Sequence, residues 1–68
     1  MKTVHNFKIG DSVIVYRKGN VYYGTMANIR EFTSRTLVTV KYTDENDTFY
    51  RSYYLNETMI EKDQGVFA

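Results

Sequence analysis

The sequence predicts an all-β protein, five short strands bent into one small domain. Three observations carry that prediction. Apolar residues recur with period two rather than 3.6, most clearly where Val38, Val40 and Tyr42 alternate with Leu37, Thr39 and Lys41. The alternating runs are short and separated by turn-forming clusters: Gly10-Asp11, Lys18-Gly19-Asn20 and Thr43-Asp44-Glu45-Asn46-Asp47. Aromatic residues make up 16% of the chain, seven of them Tyr, and Tyr fits a pleated, half-buried surface.

The first predicted strand is residues 12–17, a β-rich run that follows the Gly10-Asp11 turn. Lys18-Gly19-Asn20 makes a tight hairpin, with Gly19 free to take a positive φ. The second strand runs from residue 21 to about 30. Within it Gly24 and Met26 share a face, but the next large apolar residue, Ile29, comes three positions later. That slip of one residue predicts a β-bulge, which bends the strand. Residues 31–35 read as a loop and residues 36–42 as the third strand. A polar turn leads to the fourth strand, residues 48–54, where Phe49, Arg51 and Tyr53 oppose Tyr50, Ser52 and Tyr54. Leu55-Asn56-Glu57-Thr58 suits one short 3₁₀ turn, and residues 59–61 a closing strand. The expected core is Val13, Val15, Met26, Ile29, Val38 and Val40, the apolar residues that fall on one face once the slip is allowed for.

Five such strands must bury one face, and closing the sheet covers it while removing most edges. The expected architecture is therefore a five-stranded SH3-like small barrel over residues 7–62, with residues 1–6 and 63–68 as flexible ends. With 68 residues the chain holds one domain and not two. It has no Cys, which excludes disulfides, Cys-based zinc sites and thiol nucleophiles. The absence of Cys and of an apolar leader points to a reducing, cytoplasmic setting. No apolar run exceeds four residues, so no membrane helix and no membrane partner are expected. Charge is lopsided: residues 1–42 carry a net +5 and residues 43–68 a net −4.

The order of signals resembles that of Tudor-type SH3-like domains, within a small-barrel superfamily that includes KOW-type domains. The matching segments are Phe7-Lys8-Ile9-Gly10-Asp11-Ser12-Val13, Val21-Tyr22-Tyr23-Gly24-Thr25-Met26-Ala27-Asn28-Ile29, Leu37-Val38-Thr39-Val40-Lys41-Tyr42-Thr43-Asp44 and Leu55-Asn56-Glu57-Thr58-Met59-Ile60. Tudor domains that read methylated Arg or Lys hold the cation in a cage of aromatic rings. The resemblance places Tyr22 and Tyr42 at cage positions and Tyr16 or Arg17 at a third. The fourth falls near Glu45, which is not aromatic, so the cage is partial.

Catalytic chemistry is not expected. The single His, His5, has no second His for a metal and no adjacent carboxylate. Asp44, Glu45 and Asp47 lack the spacing, glycine and distal Glu of a calcium loop, and the four glycines are too dispersed for a phosphate loop. No catalytic residue, metal or cofactor is assigned. The expected function is a non-enzymatic binding module, a protein-binding adaptor or inhibitor of a larger machine, such as one that processes nucleic acid. Small proteins of phages and mobile elements offer the analogy. Its partner surface would use Tyr16, Arg17, Tyr22, Tyr42, Tyr50, Arg51 and Tyr53, because Tyr and Arg dominate binding hot spots. The alternative partner is nucleic acid, with tyrosines stacking on bases while Arg17, Lys18, Arg30, Arg35 and Lys41 hold phosphates. A methylated-residue reader is the minor alternative. The chain is expected to be a monomer or a weak homodimer. Surface character separates the two main readings: a basic face enclosing aromatics suits nucleic acid, an apolar patch of mixed charge suits protein.

Overall fold

Alternation in the sequence becomes two faces of one sheet. The structure is a computed structural model in which residues 6–63 are described. Five strands follow in order: β1 (Ser12–Arg17), β2 (Asn20–Glu31), β3 (Thr36–Thr43), β4 (Thr48–Tyr54) and β5 (Met59–Lys62). All pairings are antiparallel, and the sheet order is β4-β3-β2-β1-β5. Strands β1 to β4 form three successive hairpins, and β5 returns to lie beside β1. The sheet is not closed: β4 and β5 are its two edges and do not pair. The expected closure by hydrogen bonding is therefore not made. The apolar residues of one face are buried all the same, Val13, Val15, Met26, Val38 and Val40 at 0–1% exposure.

The bend comes from β2. Its register against β3 shifts between Met26 and Asn28, so the bulge falls where the apolar phase slips. Gly24 allows a second close approach on the same strand. A Cβ built there would meet Val40 Cγ1 at 2.5 Å and the Lys41 carbonyl oxygen at 2.8 Å. Only a residue without a side chain lets β3 cross so near. The segment before β1 ties itself to the bulged strand: Gly10 N–H donates to the Met26 carbonyl, and Met26 N–H donates to that of Asp11, both at 2.8 Å. Gly10 turns with φ 99°.

The β1–β2 hairpin is tighter than expected. Its turn is Lys18-Gly19 alone, both at positive φ (49° and 79°), closed by the Arg17–Asn20 pair. Two positive φ values match the right-handed twist of the flanking strands. At the other end of the chain, Glu57 N–H and Thr58 N–H both donate to the Tyr54 carbonyl, at 3.0 and 3.1 Å. This is a hydrogen-bonded turn with no helix assigned where the 3₁₀ turn was expected.

The core is Val13, Val15, Met26, Val38 and Val40, joined by Tyr42 and Tyr53. Five of the six expected core residues are thus fully buried. Ile29 is the exception: it lies beyond the bulge, half-buried, and packs against the cluster from its rim. Asp63, expected to be loose, donates its N–H to the Ser12 carbonyl at 2.8 Å and extends the β1–β5 edge. Residues 1–5 and 64–68, and with them His5, lie outside the described residues. No helix among the described residues is long and apolar enough to cross a membrane.

Candidate functional site

Strand alternation decides which tyrosines meet. On β4 the residues sharing the core face are Phe49, Arg51 and Tyr53, which pair in register with Tyr42, Val40 and Val38. On β2 the same face carries Tyr22, and on β1 it carries Val15 and then Arg17. These positions converge where the β1–β2 hairpin overhangs the end of the core. They form a groove of about 350 Å³ lined by Arg17, Lys18, Asn20, Tyr22, Tyr42, Phe49, Arg51 and Tyr53. That volume lies at the small end of ligand pockets, which run from about 300 to 1,000 Å³.

The groove floor is Tyr42 and Tyr53, both buried, with their hydroxyls 2.9 Å apart. In that pair one hydroxyl donates to the other, which leaves the acceptor's own hydrogen to point elsewhere. Burial, then the bond to Tyr53, hold the Tyr42 hydroxyl well above the usual tyrosine pKa; the nearby Arg51 charge opposes this. Tyr42 is therefore neutral at any physiological pH. The walls are Tyr22 and Phe49, each 44% exposed. Tyr22 meets the Tyr42 ring edge-on at 72° and 6.3 Å, and Phe49 lies tilted against it at 5.4 Å. Two cations crown the rings: Arg17 Cζ stands 5.6 Å from the Tyr53 centroid and Arg51 Cζ 5.7 Å from that of Phe49. With Lys18 in the turn, three cations and four aromatic rings line the groove, and no carboxylate does.

Five of the seven residues expected at a partner surface therefore come together: Arg17, Tyr22, Tyr42, Arg51 and Tyr53. Tyr16 and Tyr50 do not, because each falls on the opposite face of its strand. Tyr16 donates its hydroxyl to Glu61 at 3.0 Å, and that bond, first, raises its pKa. Tyr50 pairs with Lys41 on the outer face and is 59% exposed. The five basic residues of the nucleic-acid alternative are split. Arg17 and Lys18 line the groove, Lys41 faces outward on β3, and Arg30 and Arg35 lie at the far end of the strands. Sequence reasoning passed over Phe49 and Asn20. The signal for Phe49 was present: it shares its phase with Arg51 and Tyr53 and sits opposite Tyr42 across a short turn.

Asp44, Glu45 and Asp47 form the polar hairpin turn expected of them, with Asp44 N–H donating to the Asp47 carbonyl at 2.7 Å. Among the described residues no three His, Cys, Asp or Glu side chains gather as a metal site. Compared with protein-family models, curated protein sequences and solved structures, the chain matches none.

Proposed function

We propose that the protein is a non-catalytic binding module that takes single-stranded nucleic acid in this groove, on a scaffold of SH3-like, Tudor type. The scaffold reading is supported by the meander of four strands, the bulged second strand and the return of β5 to β1. The function reading is carried by one observation, the lining of three cations and four aromatic rings without a carboxylate. Half-exposed Tyr22 and Phe49 offer ring faces to bases, and every base has a π face to return. Arg17, Lys18 and Arg51 offer charge to the backbone. The hydroxyl pair on the floor supplies a neutral donor and acceptor for a base edge. The overall charge of only +1 does not oppose this, because the field at the groove is set by the side chains that line it. The same cations argue against a methylated Lys or Arg as ligand: Arg17, Lys18 and Arg51 line the groove beside Tyr22 and Tyr42 and would repel a cation there, with no carboxylate to offset them.

A protein partner is the second reading, favoured by a separate observation. On the outer face Val21, Tyr16 and Met59 stand side by side across β2, β1 and β5, with Tyr23, Ile14 and Glu61 in the next row. Val21, Tyr23 and Met59 are each 46% exposed or more, an apolar row that suits a protein contact.

Fluorescence anisotropy with a labelled oligothymidylate of about four nucleotides tests the first reading. Removing one stacking ring costs about 1–3 kcal/mol, so Tyr22→Ala is expected to weaken binding about fivefold or more, and Arg51→Ala to weaken it and lower the salt slope by roughly 0.7. With three phosphate contacts, log affinity should fall with log salt at a slope of roughly −2. No binding at low salt, or binding indifferent to both substitutions, refutes it.

A further inference from the structure

Alternation on β4 gives one strand two working faces. Phe49, Arg51 and Tyr53 point into the groove, while Tyr50, Ser52 and Tyr54 stand on the outer face. β4 is also a sheet edge, so no strand among the described residues pairs along its far side. The outer face it shares with β3 and β2 repeats the groove's chemistry without being part of it. Arg30, Leu37 and Tyr54 form one row across the three strands, and Lys41 and Tyr50 lie in another. Arg35 reaches from the β2–β3 loop to lay its guanidinium 4.2 Å over the Tyr54 ring, and Arg30 stands 5.7 Å over Phe32. Between the two rows Thr39 and Ser52 pair their hydroxyls at 3.0 Å.

No Asp or Glu occurs at any position in residues 25–30, 37–43 or 48–54. The carboxylates nearest in sequence, Glu31, Asp44, Glu45, Asp47 and Glu57, all lie beyond those segments. The Asp44–Asp47 turn follows β3 at the same end of the sheet as the groove. That turn closes the hairpin two register pairs from Lys41 and Tyr50, so the charges favour a path for an anionic chain that leads away from it, along β4 toward Arg35.

We infer that a bound single strand runs from the groove around the β4 edge and along the outer face of β2, β3 and β4, where Tyr50 and the Arg35–Tyr54 stack are base platforms and Lys41 and Arg30 hold phosphates. This rests on the proposed nucleic-acid reading of the groove and extends it to a second surface. Tyr50 and Tyr54 lie four residues apart on a strand, about 13 Å, which spaces two platforms along one extended chain. A guanidinium stacked on a ring still presents its outer plane to a base. The site therefore spans more nucleotides than the groove alone holds.

The test compares oligothymidylates of about four and about twelve nucleotides, within the range that small barrels cover. Wild-type protein should bind the longer one at least about tenfold more tightly. Lys41→Ala, Arg35→Ala and Tyr50→Ala should remove most of that gain and leave the short oligonucleotide unaffected, with thermal melts confirming that each variant is folded. Each lost cation should also lower the salt slope for the long strand by roughly 0.7. Equal affinity for the two lengths, or a length gain untouched by the three variants, overturns the second surface. If the short oligonucleotide fails to bind but the long one binds and depends on Lys41 and Arg35, the groove reading falls while the outer face stands. If neither binds, both fall. Polyglutamate of matched length is the competitor: displacement of the long strand as effective as by unlabelled oligonucleotide overturns recognition of nucleic acid on this face in favour of an acidic protein.

Discussion

Tyr42 shows how much one residue's meaning depends on its neighbours. In the sequence it ends a strand and matches a cage position; in the fold it is floor, 7% exposed, and bonded through its hydroxyl to Tyr53. Its raised pKa makes a statement about stability. A tyrosine in the unfolded chain ionises near pH ~10, whereas the folded chain resists ionising Tyr42 until well above that. The stabilising contribution is thus complete below about pH 10 and is lost as pH climbs through the folded value. Urea unfolding of the wild type should show stability falling from about pH 10 upward. Tyr42→Phe should be less stable at neutral pH by about 1 kcal/mol, because Tyr53 loses its partner, yet should lose less on going to alkaline pH. Parallel losses in the two proteins would show that Tyr42 does not carry the effect. Tyr16, also raised, remains in both and does not affect the comparison.

At the scale of the strand, β2 shapes the site. Its bulge after Met26 and its bare position at Gly24 let β3 pass close to it, and across that bent sheet the Arg17 side chain of β1 reaches the Tyr53 ring of β4. Gly24→Ala tests this. The added carbon would stand 2.8 Å from a backbone oxygen, which cannot swing aside as a side chain would. Overpacking of this kind costs about 1–3 kcal/mol, and because Tyr42 Cδ1 is the third neighbour, at 3.1 Å, the groove floor should shift with it. The expected result is a lower melting temperature together with weaker oligonucleotide binding. An unchanged melting temperature would mean that β3 does not approach β2 as closely as described. The bulge was legible in the sequence because Met26 and Ile29 stand three apart in an otherwise alternating run. The closeness at Gly24 was not, because it depends on where Val40 and Lys41 of another strand come to lie.

For the whole molecule, four valines and one methionine at 0–1% exposure carry a domain with neither disulfide nor, among its described residues, a helix. A chain of this length has a margin of only several kcal/mol, and an uncompensated buried charge costs about that much. Val40→Asp should therefore leave no cooperative thermal transition, while Lys41→Asp, one position along and facing out, should fold. Loss of folding in both, or in neither, would contradict the register. By itself the sequence determined the strand count, where the turns fall, the bulge and five of the core residues, because each follows from alternation and turn chemistry within a dozen residues. It also singled out Arg17, Tyr22, Tyr42, Arg51 and Tyr53, since an excess of tyrosine with arginine marks a surface before its shape is known. The tertiary structure decided what sequence distance conceals. β4 and β5 remain edges instead of closing the sheet, Tyr16 and Tyr50 turn away from the groove, and Phe49 takes the wall position that no residue near Glu45 fills. The physical reason is the same in each case: alternation assigns a side chain to one of two faces, but only the pairing of strands far apart in the chain decides which neighbours share that face and how far it bends.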